Sequence, residues 1–233
     1  MSTPLIEADN VGVRFGGLVA VAGVSLSIAR GEICCIVGPN GAGKSTLFNV
    51  LTGTVKPTTG RILIDGENFS GRPVHAFARR GVARKFQAPS IFSSLNVGDN
   101  LRVAQRQGSD EIHLGEILGL LGFSGMADAP AGTLSHGQKQ WLEIGMALVA
   151  RPKVLLLDEP TAGMGPEETM HTVRLIQEIA SRAAVAVIEH DMEFVRELGV
   201  RTLVLHQGRV IAEGGFQEVA DDDHVRDVYL GRG

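Results

Sequence analysis

The residue types at positions 38–45 could bind a chain of phosphates. These positions read Gly-Pro-Asn-Gly-Ala-Gly-Lys-Ser, which matches the P-loop pattern G-x-x-x-x-G-K-[ST]. The glycines allow backbone N–H groups to turn towards phosphate oxygens, and the start of the following helix adds more donors and partial positive charge. Lys44 would give a cation to the β- and γ-phosphates, and Ser45 a hydroxyl ligand for Mg²⁺. The run therefore predicts a site for a nucleotide triphosphate.

Two carboxylates follow a run of four apolar residues further along the chain. Residues 154–157 are typical of a buried strand, and Asp158 and Glu159 come directly after it. Ligands of open α/β sheets bind at the carboxyl ends of the strands, so this pair is placed to act on the same phosphates. We expect Asp158 to hold Mg²⁺ through water and Glu159 to polarise an attacking water. With the P-loop, the pair predicts an ATPase or a GTPase.

The elements that must position these residues alternate between strand and helix. Residues 6–13 and 19–28 predict an antiparallel hairpin, and five further strands are predicted at 32–37, 61–65, 185–188, 202–206 and 209–212. Helices are predicted at 44–52, 138–150, 166–181 and 191–198, and helical patches at 97–105 and 111–121. This order predicts an α/β fold: a P-loop NTPase core with an N-terminal antiparallel β-subdomain and an inserted helical subdomain.

The predicted domain organisation follows from the position of that insertion. We expect residues 1–233 to form a single domain with two lobes. The catalytic lobe would comprise residues 1–87 and 150–233, and the helical lobe residues 88–149.

Composition and charge limit the class of protein. The chain has 22 Lys+Arg against 26 Asp+Glu, a net charge of −4, which argues against a protein that wraps DNA or binds membranes by basic residues. Its two cysteines, Cys34 and Cys35, are adjacent and offer no disulfide framework, as suits a reducing cytosol. We find no signal peptide and no window of 18 apolar residues, so a soluble chain is expected, with any membrane role acting through a partner.

Residues between the two motifs and on either side of them narrow the class of ATPase or GTPase further. Residues 134–138, Leu-Ser-His-Gly-Gln, resemble the L-S-G-G-Q signature of the ATP-binding-cassette ATPases and end 20 residues before Asp158. Gln87 resembles the Q-loop glutamine of that family, His190 its switch histidine, and Phe15 the aromatic residue that stacks on adenine. The ordered motifs cover essentially the whole chain. The resemblance therefore implies the ATP-binding-cassette ATPase fold, with ATP and Mg²⁺ as cofactors.

The resemblance also implies roles for single residues. The catalytic residues would be Glu159, His190, Gln87 and Lys44, and the Mg²⁺ ligands Ser45, Gln87 and Asp158. The residues implied to bind ATP are Phe15, Gly38, Pro39, Asn40, Gly41, Ala42, Gly43, Lys44, Ser45 and Thr46. A second protomer would complete the site in trans with its Ser135, His136, Gly137 and Gln138. The implied working unit is a head-to-tail homodimer or a heterodimer with a second ATPase.

The implied partners are those of a transporter. Two integral membrane permeases and an extracytoplasmic solute-binding protein are expected, without nucleic acid, at the cytoplasmic face of the inner membrane. Residues 14–17, 162–164 and 228–231 look like importer ATPases for branched-chain amino acids, amides and urea. The run 134–146 most resembles a urea importer, so urea is the predicted solute and branched-chain amino acids or amides the alternative. A soluble or exporter-type ATPase of the family is a further alternative.

Some positions depart from the family pattern or allow two interpretations. His136 replaces a signature glycine, either as a variant tolerated at positive φ or as a donor near the γ-phosphate. The D-loop, residues 162–165, lacks the usual Asp, so communication between sites is expected to depend on backbone contacts. Arg84 and Lys85 are expected on a solvated face, and Trp141 in packing at the lobe junction.

Overall fold

The computed structural model describes residues 4–85, 91–105 and 112–229. The strands are β1 (Pro4–Phe15), β2 (Leu18–Ala29), β3 (Ile33–Val37), β4 (Thr59–Ile64), β5 (Glu67–Asn68), β6 (Val82–Lys85), β7 (Val154–Asp158), β8 (Ala184–Ile188), β9 (Arg201–His206) and β10 (Arg209–Gly214). The helices are α1 (Lys44–Leu51), α2 (Val74–Arg80), α3 (Val97–Ala104), α4 (Ile112–Leu120), α5 (His136–Val149), α6 (Pro166–Ala180), α7 (Met192–Leu198), α8 (Phe216–Asp221) and α9 (Asp223–Tyr229). Within these ranges, no helix has the length and apolar character needed to cross a membrane.

The residues predicted to act on phosphates follow the carboxyl ends of strands in one six-stranded sheet. Its order is β10-β9-β3-β8-β7-β6, and all neighbouring pairs except β10 with β9 are parallel. Ile188 pairs with both Ile36 and Asp158, so β3, β8 and β7 end at the same level. The P-loop, the carboxylate pair and the residues after β8 therefore meet at the carboxyl edge of the sheet.

Two hydrophobic cores lie on opposite faces of this sheet. One contains the buried residues of the antiparallel sheet β2-β1-β4-β5 together with α1, and the other is formed against α3 to α7. Cys34 faces the first core and Cys35 the second, because successive strand residues point to opposite faces. Both thiols are free and buried, and burial raises the pKa of Cys34 to about 12.

The predicted fold class is confirmed, but five elements were not predicted. The hairpin, the parallel sheet and the long helices occupy the predicted segments, whereas β5, α2, β6, α8 and α9 lie outside them. Residues 82–85 read Val-Ala-Arg-Lys, and two adjacent charges do not suggest a strand. The helix expected at 138–150 begins at His136, two residues earlier. The boundaries of the two lobes stay a prediction.

Candidate nucleotide site

The P-loop connects β3 to α1 in close contact with two other elements. Gly38 has φ 148°, and a Cβ there would clash with the carbonyl of Leu205 on β9. Gly43 has φ 104°, and its Cβ would clash with the carbonyl of Ala20 on β2. Only glycine fits at these two positions. Helix α1 begins directly after Gly43 without a side-chain cap, so its first N–H groups are available to an anion.

Lys44 lies inside this loop. Its Nζ donates to the carbonyl oxygens of Gly38 at 2.6 Å and Pro39 at 3.1 Å. Burial lowers the pKa of Lys44, and the negative charges of Glu159 and Asp158 partly oppose that shift. The next residue, Ser45, is exposed on the first turn of α1. The cation and the hydroxyl that were predicted to bind phosphate and Mg²⁺ are therefore presented by one turn of helix.

Asp158 is held by a buried arginine. Arg84 on β6 donates from Nη2 to Asp158 Oδ2 at 2.6 Å and from Nη1 to Asn49 Oδ1 of α1 at 2.6 Å. The expectation that Arg84 and Lys85 lie on a solvated face is wrong, since their side chains are 7% and 0% exposed. The physical reason is that β6 lies beside β7 and under α5, where Lys85 comes within 3.9 Å of Glu143.

Glu159 and His190 lie close together at the edge of the sheet. The Nδ1 atom of His190 is 3.6 Å from Glu159 Oε1, and the His190 side chain is 61% exposed. Glu159 has φ 46°, in the left-handed region that costs energy for a residue with a side chain. Its N–H donates to the carbonyl of Ile188 at 2.9 Å, which holds that conformation at the end of β8. The predicted base and the switch histidine are thus brought together.

Glu189 is a site residue that the sequence analysis did not single out. It is fully buried and accepts hydrogen bonds from Thr161 N at 3.1 Å, Thr161 Oγ1 at 2.6 Å and His190 N at 3.2 Å. Burial raises the pKa of Glu189, and these hydrogen bonds oppose the shift. The available signal was a carboxylate directly after a buried strand, as for Asp158. Glu189 attaches the residue before the D-loop to the end of β8.

The signature residues begin helix α5. Ser135 is the N-cap and forms a reciprocal capping box with Gln138, and its Oγ also donates to Glu168 Oε1 of α6 at 3.1 Å. His136 is the first residue of the helix and does not have positive φ, so a left-handed backbone does not explain this replacement. Its Nε2 lies 2.9 Å from the carbonyl oxygen of Ala162 in the D-loop.

The remaining predicted site residues lie on the hairpin and in the segment after β6. Phe15 is 51% exposed at the end of β1, where it pairs with Leu18. The same end of the hairpin carries Ala20, whose carbonyl packs against Gly43. Phe15 is therefore an exposed aromatic ring at the end of the hairpin that borders the P-loop. Gln87 lies outside the described residues.

The donor set at the sheet edge fits Mg²⁺. Among the residues that the structure describes, no three His, Cys, Asp or Glu side chains come together as a metal cluster. Ser45 instead offers an exposed hydroxyl at the start of α1, and Asp158 offers a carboxylate at the end of β7, of which Oδ2 is held by Arg84. Mg²⁺ prefers oxygen and is commonly held by one or two protein ligands, water and the phosphates of its substrate. The residues present match that mode of binding.

Sequence comparisons place the chain among transporter ATPases. Residues 21–162 match a family model described as ABC transporter, and residues 209–233 match one described as branched-chain amino acid ATP-binding cassette transporter. The high-affinity branched-chain amino acid transport ATP-binding protein BraF of Pseudomonas aeruginosa is 38% identical, with 99% of each chain covered. The lipopolysaccharide export system ATP-binding protein LptB of Escherichia coli is 36% identical, with 97% of each chain covered.

Solved structures agree with this grouping. An ATP-binding cassette of an ABC transporter in its ADP conformation matches with a TM-score of 0.88 at 29% identity, covering 99% of this chain and 100% of the other. A nucleotide-free cassette matches with a TM-score of 0.87 at the same identity, covering 97% of this chain and 99% of the other. The family resemblance of the motifs is confirmed. The chain belongs to the ATP-binding-cassette transporter family, as an ATPase subunit that hydrolyses ATP with Mg²⁺.

Proposed function

We propose that this chain powers an importer of branched-chain amino acids or of a similarly small solute. The observation that carries the proposal is the match of residues 209–233 to the branched-chain amino acid cassette model. BraF, and LivG of Escherichia coli at 37% identity over 99% of each chain, support it. LptB is nearly as similar over the chain, but its name describes export. Urea finds no support among these relatives and stays a prediction from the run 134–146.

In the proposed site, one side of ATP is bound by backbone N–H groups of the P-loop and by the Lys44 cation. The P-loop residues 38–46 bind the phosphates, with Lys44 at the β- and γ-phosphates, and Phe15 stacks on adenine. Ser45, Asp158 and Gln87 would hold Mg²⁺, which would neutralise part of the phosphate charge. Support comes from the 2.6 Å and 3.1 Å contacts of Lys44 Nζ with the Gly38 and Pro39 carbonyl oxygens, because they hold the cation inside the loop that would bind the phosphates.

Hydrolysis in the proposed site depends on Glu159 as general base. Its side chain is 18% exposed, so it is partly shielded yet can reach a water beside the γ-phosphate. His190, at 3.6 Å, would orient that carboxylate. The 61% exposure of the His190 side chain leaves the imidazole free to contact the γ-phosphate as well.

The proposed working unit is a head-to-tail dimer, of two copies or with a paralogue. Ser135 and His136 are exposed at the start of α5, while Gly137 is buried. An exposed hydroxyl and helix N-terminus can approach a γ-phosphate bound by a second protomer. Gln138 would complete that contact indirectly, since its side chain accepts from the Ser135 backbone and fixes the cap.

A cleft between the two proposed lobes suits the permease. Its volume is about 390 Å³, and its mostly apolar lining includes Phe77 of α2 and Ala83 of β6 on one side. Ala104 of α3 and Met146 of α5 line the other side. We infer that a short cytoplasmic segment of each permease binds here, which would hold the chain at the inner face of the membrane. The solute-binding protein would act on the opposite side and never contact this chain.

Uptake assays test the proposed solute. A strain lacking this gene would be complemented with the wild-type chain or with Glu159→Gln, and uptake of labelled leucine and urea compared. We expect leucine uptake to be restored by the wild type alone, because transport requires hydrolysis. Restoration of urea uptake without leucine uptake would support the alternative solute. Unchanged uptake of both solutes in the deletion strain would exclude leucine and urea as the solutes of this importer.

A further inference from the structure

The D-loop depends on other residues for its polar contacts. Its sequence is Ala-Gly-Met-Gly, so the loop offers its backbone but no polar side chain. Towards the sheet it is attached through Thr161, which donates twice to buried Glu189. Towards the signature helix it is attached through the carbonyl of Ala162, which lies 2.9 Å from Nε2 of His136.

The geometry at His136 defines the chemistry of this contact. A carbonyl oxygen only accepts, so this hydrogen bond requires the tautomer with the proton on Nε2, whose N–H donates to Ala162 O. The ring also packs over Gly163, where a Cβ would lie 3.2 Å from Nε2 and 3.3 Å from Cδ2. A glycine at position 136, the residue usual in the signature, has no atom that could reach the loop. The chain departs from the family pattern by having His136 in place of glycine and a D-loop without Asp. One hydrogen bond, from His136 to Ala162, joins these two places.

From this contact we propose that His136 is a positioning residue that fixes the D-loop to the signature helix and so couples the two ATP sites of the dimer. The inference rests on the proposed head-to-tail dimer. In that dimer the signature acts on the nucleotide of the partner, whereas Glu159 and His190 act on the chain's own nucleotide. His136 joins the two groups through Ala162, Thr161 and Glu189 in an unbroken series of covalent and hydrogen bonds.

A second contact between the same elements supports a rigid connection. The adjacent residue, Ser135, donates to Glu168 Oε1, and Glu168 Oε2 accepts from the N–H of Gly165 at the end of the D-loop at 3.3 Å. The loop is thus tied to the start of α5 near both of its ends. Closure of the dimer on the signature would move the D-loop with it, because the two elements share these contacts.

Steady-state ATPase measurements on the full-length chain test the coupling. We expect His136→Gly to lower kcat by about five-fold, the factor that one hydrogen bond supplies. The Hill coefficient for ATP should fall towards one. The affinity of a single protomer for ATP, measured before dimerisation, should not change, because the P-loop is intact. His136→Gln, whose amide N–H has a similar reach, should restore both kcat and the Hill coefficient. His75→Gln, at an exposed histidine of α2, is the matched control. Solute uptake is not measured, so a wrong solute assignment leaves this result unaffected.

A double-variant cycle separates coupling from general damage. Gly163→Ala adds a methyl group against the His136 ring, so its effect on kcat should be smaller in the His136→Gly background than in the wild type. Additive effects would overturn the proposal. So would a His136→Gly variant with wild-type kcat and Hill coefficient, or a His136→Gln variant as impaired as His136→Gly. Thermal melts of each variant would show whether the fold is retained.

Discussion

Arg84 and Asp158 form a 2.6 Å ion pair in which both side chains are more than nine-tenths buried. The guanidinium also binds Asn49 on α1, so one arginine joins β6, β7 and the helix of the P-loop. A buried pair of this kind fixes geometry more than it adds stability, because desolvation offsets most of the attraction. Removing one partner is different, since it leaves an uncompensated buried charge.

Replacement of Arg84 by Met should therefore destabilise the fold. We expect Arg84→Met to lower the free energy of unfolding by about 3 kcal/mol, the cost typical of an orphaned buried carboxylate. Asn49→Ala should cost about 1 kcal/mol, as one hydrogen bond is lost. Urea unfolding followed by circular dichroism measures both, with Arg79→Met on the exposed face of α2 as the control. Equal stability of Arg84→Met and the control would contradict the assignment.

Replacement of Glu159 by Gln should separate binding from hydrolysis. The amide keeps the size of the side chain but does not accept a proton from water, so turnover should fall by about a thousand-fold. ATP binding should persist, and the variant should elute as a dimer with ATP and Mg²⁺ in size-exclusion chromatography. Glu167→Gln, at an exposed position of α6, serves as the control. Wild-type turnover in Glu159→Gln would exclude this residue as the base.

The contact between Ser135 and Glu168 predicts an effect on dimer closure. The Glu168 carboxylate accepts the hydrogen bond of the Ser135 hydroxyl, which would otherwise donate to the γ-phosphate bound by the partner. The negative charge of Glu168 also opposes the approach of a phosphate. Glu168→Gln keeps an oxygen for the N–H of Gly165 but removes the charge. In the Glu159→Gln background, the ATP concentration for half-maximal dimer formation should fall by about three-fold. An unchanged or higher concentration would show that Glu168 does not oppose closure.

His171 predicts a pH dependence of stability. Burial and the nearby charge of Arg174 lower its pKa, and its ring lies 4.2 Å from that of Trp141. The folded chain keeps this imidazole neutral, whereas the unfolded chain binds a proton below about pH 6.5. Stability should therefore decrease as the pH falls from 7.5 to 5.5, and His171→Gln should lose part of that decrease.

The fluorescence of Trp141, the single tryptophan of the chain, reports this unfolding directly. Its Nε1 donates to Thr172 Oγ1 at 2.9 Å, so the indole packs between α5 and α6. Urea titrations at pH 7.5 and 5.5 give the change in the free energy of unfolding with pH for each protein. The control is His224→Gln, at an exposed histidine of helix α9. Identical slopes for the wild type and His171→Gln would refute the prediction.

The parts of the site that sequence could predict are those whose residues are close together in the chain. The P-loop and the carboxylate pair have fixed spacing, and the hairpin has an alternating apolar pattern. The start of α5 was predictable in the same way, because Ser135 and Gln138 form the local pattern of a capping box. The prediction placed this helix two residues late by following apolar periodicity rather than the cap.

The parts that sequence could not predict depend on contacts between distant segments. Arg84 meets Asp158 across 74 positions, and His136 meets Ala162 across 26. Two adjacent charged residues, Arg84 and Lys85, predict a solvent-exposed segment as long as the position of the carboxylates near them is unknown. Glu189 had a local signal, its position directly after a buried strand, but its partner Thr161 lies 28 positions away and could not be predicted.

The position of Arg84 has a mechanical consequence. Arg84 lines the cleft proposed for the permease and also forms the ion pair with Asp158. No other side chain therefore lies between this cleft and Asp158 along that path. Strand β6 is only four residues long and is hydrogen-bonded along one side to β7. A displacement of β6 at the cleft would therefore move Asp158 directly, through the guanidinium of Arg84 and without a second side chain in between.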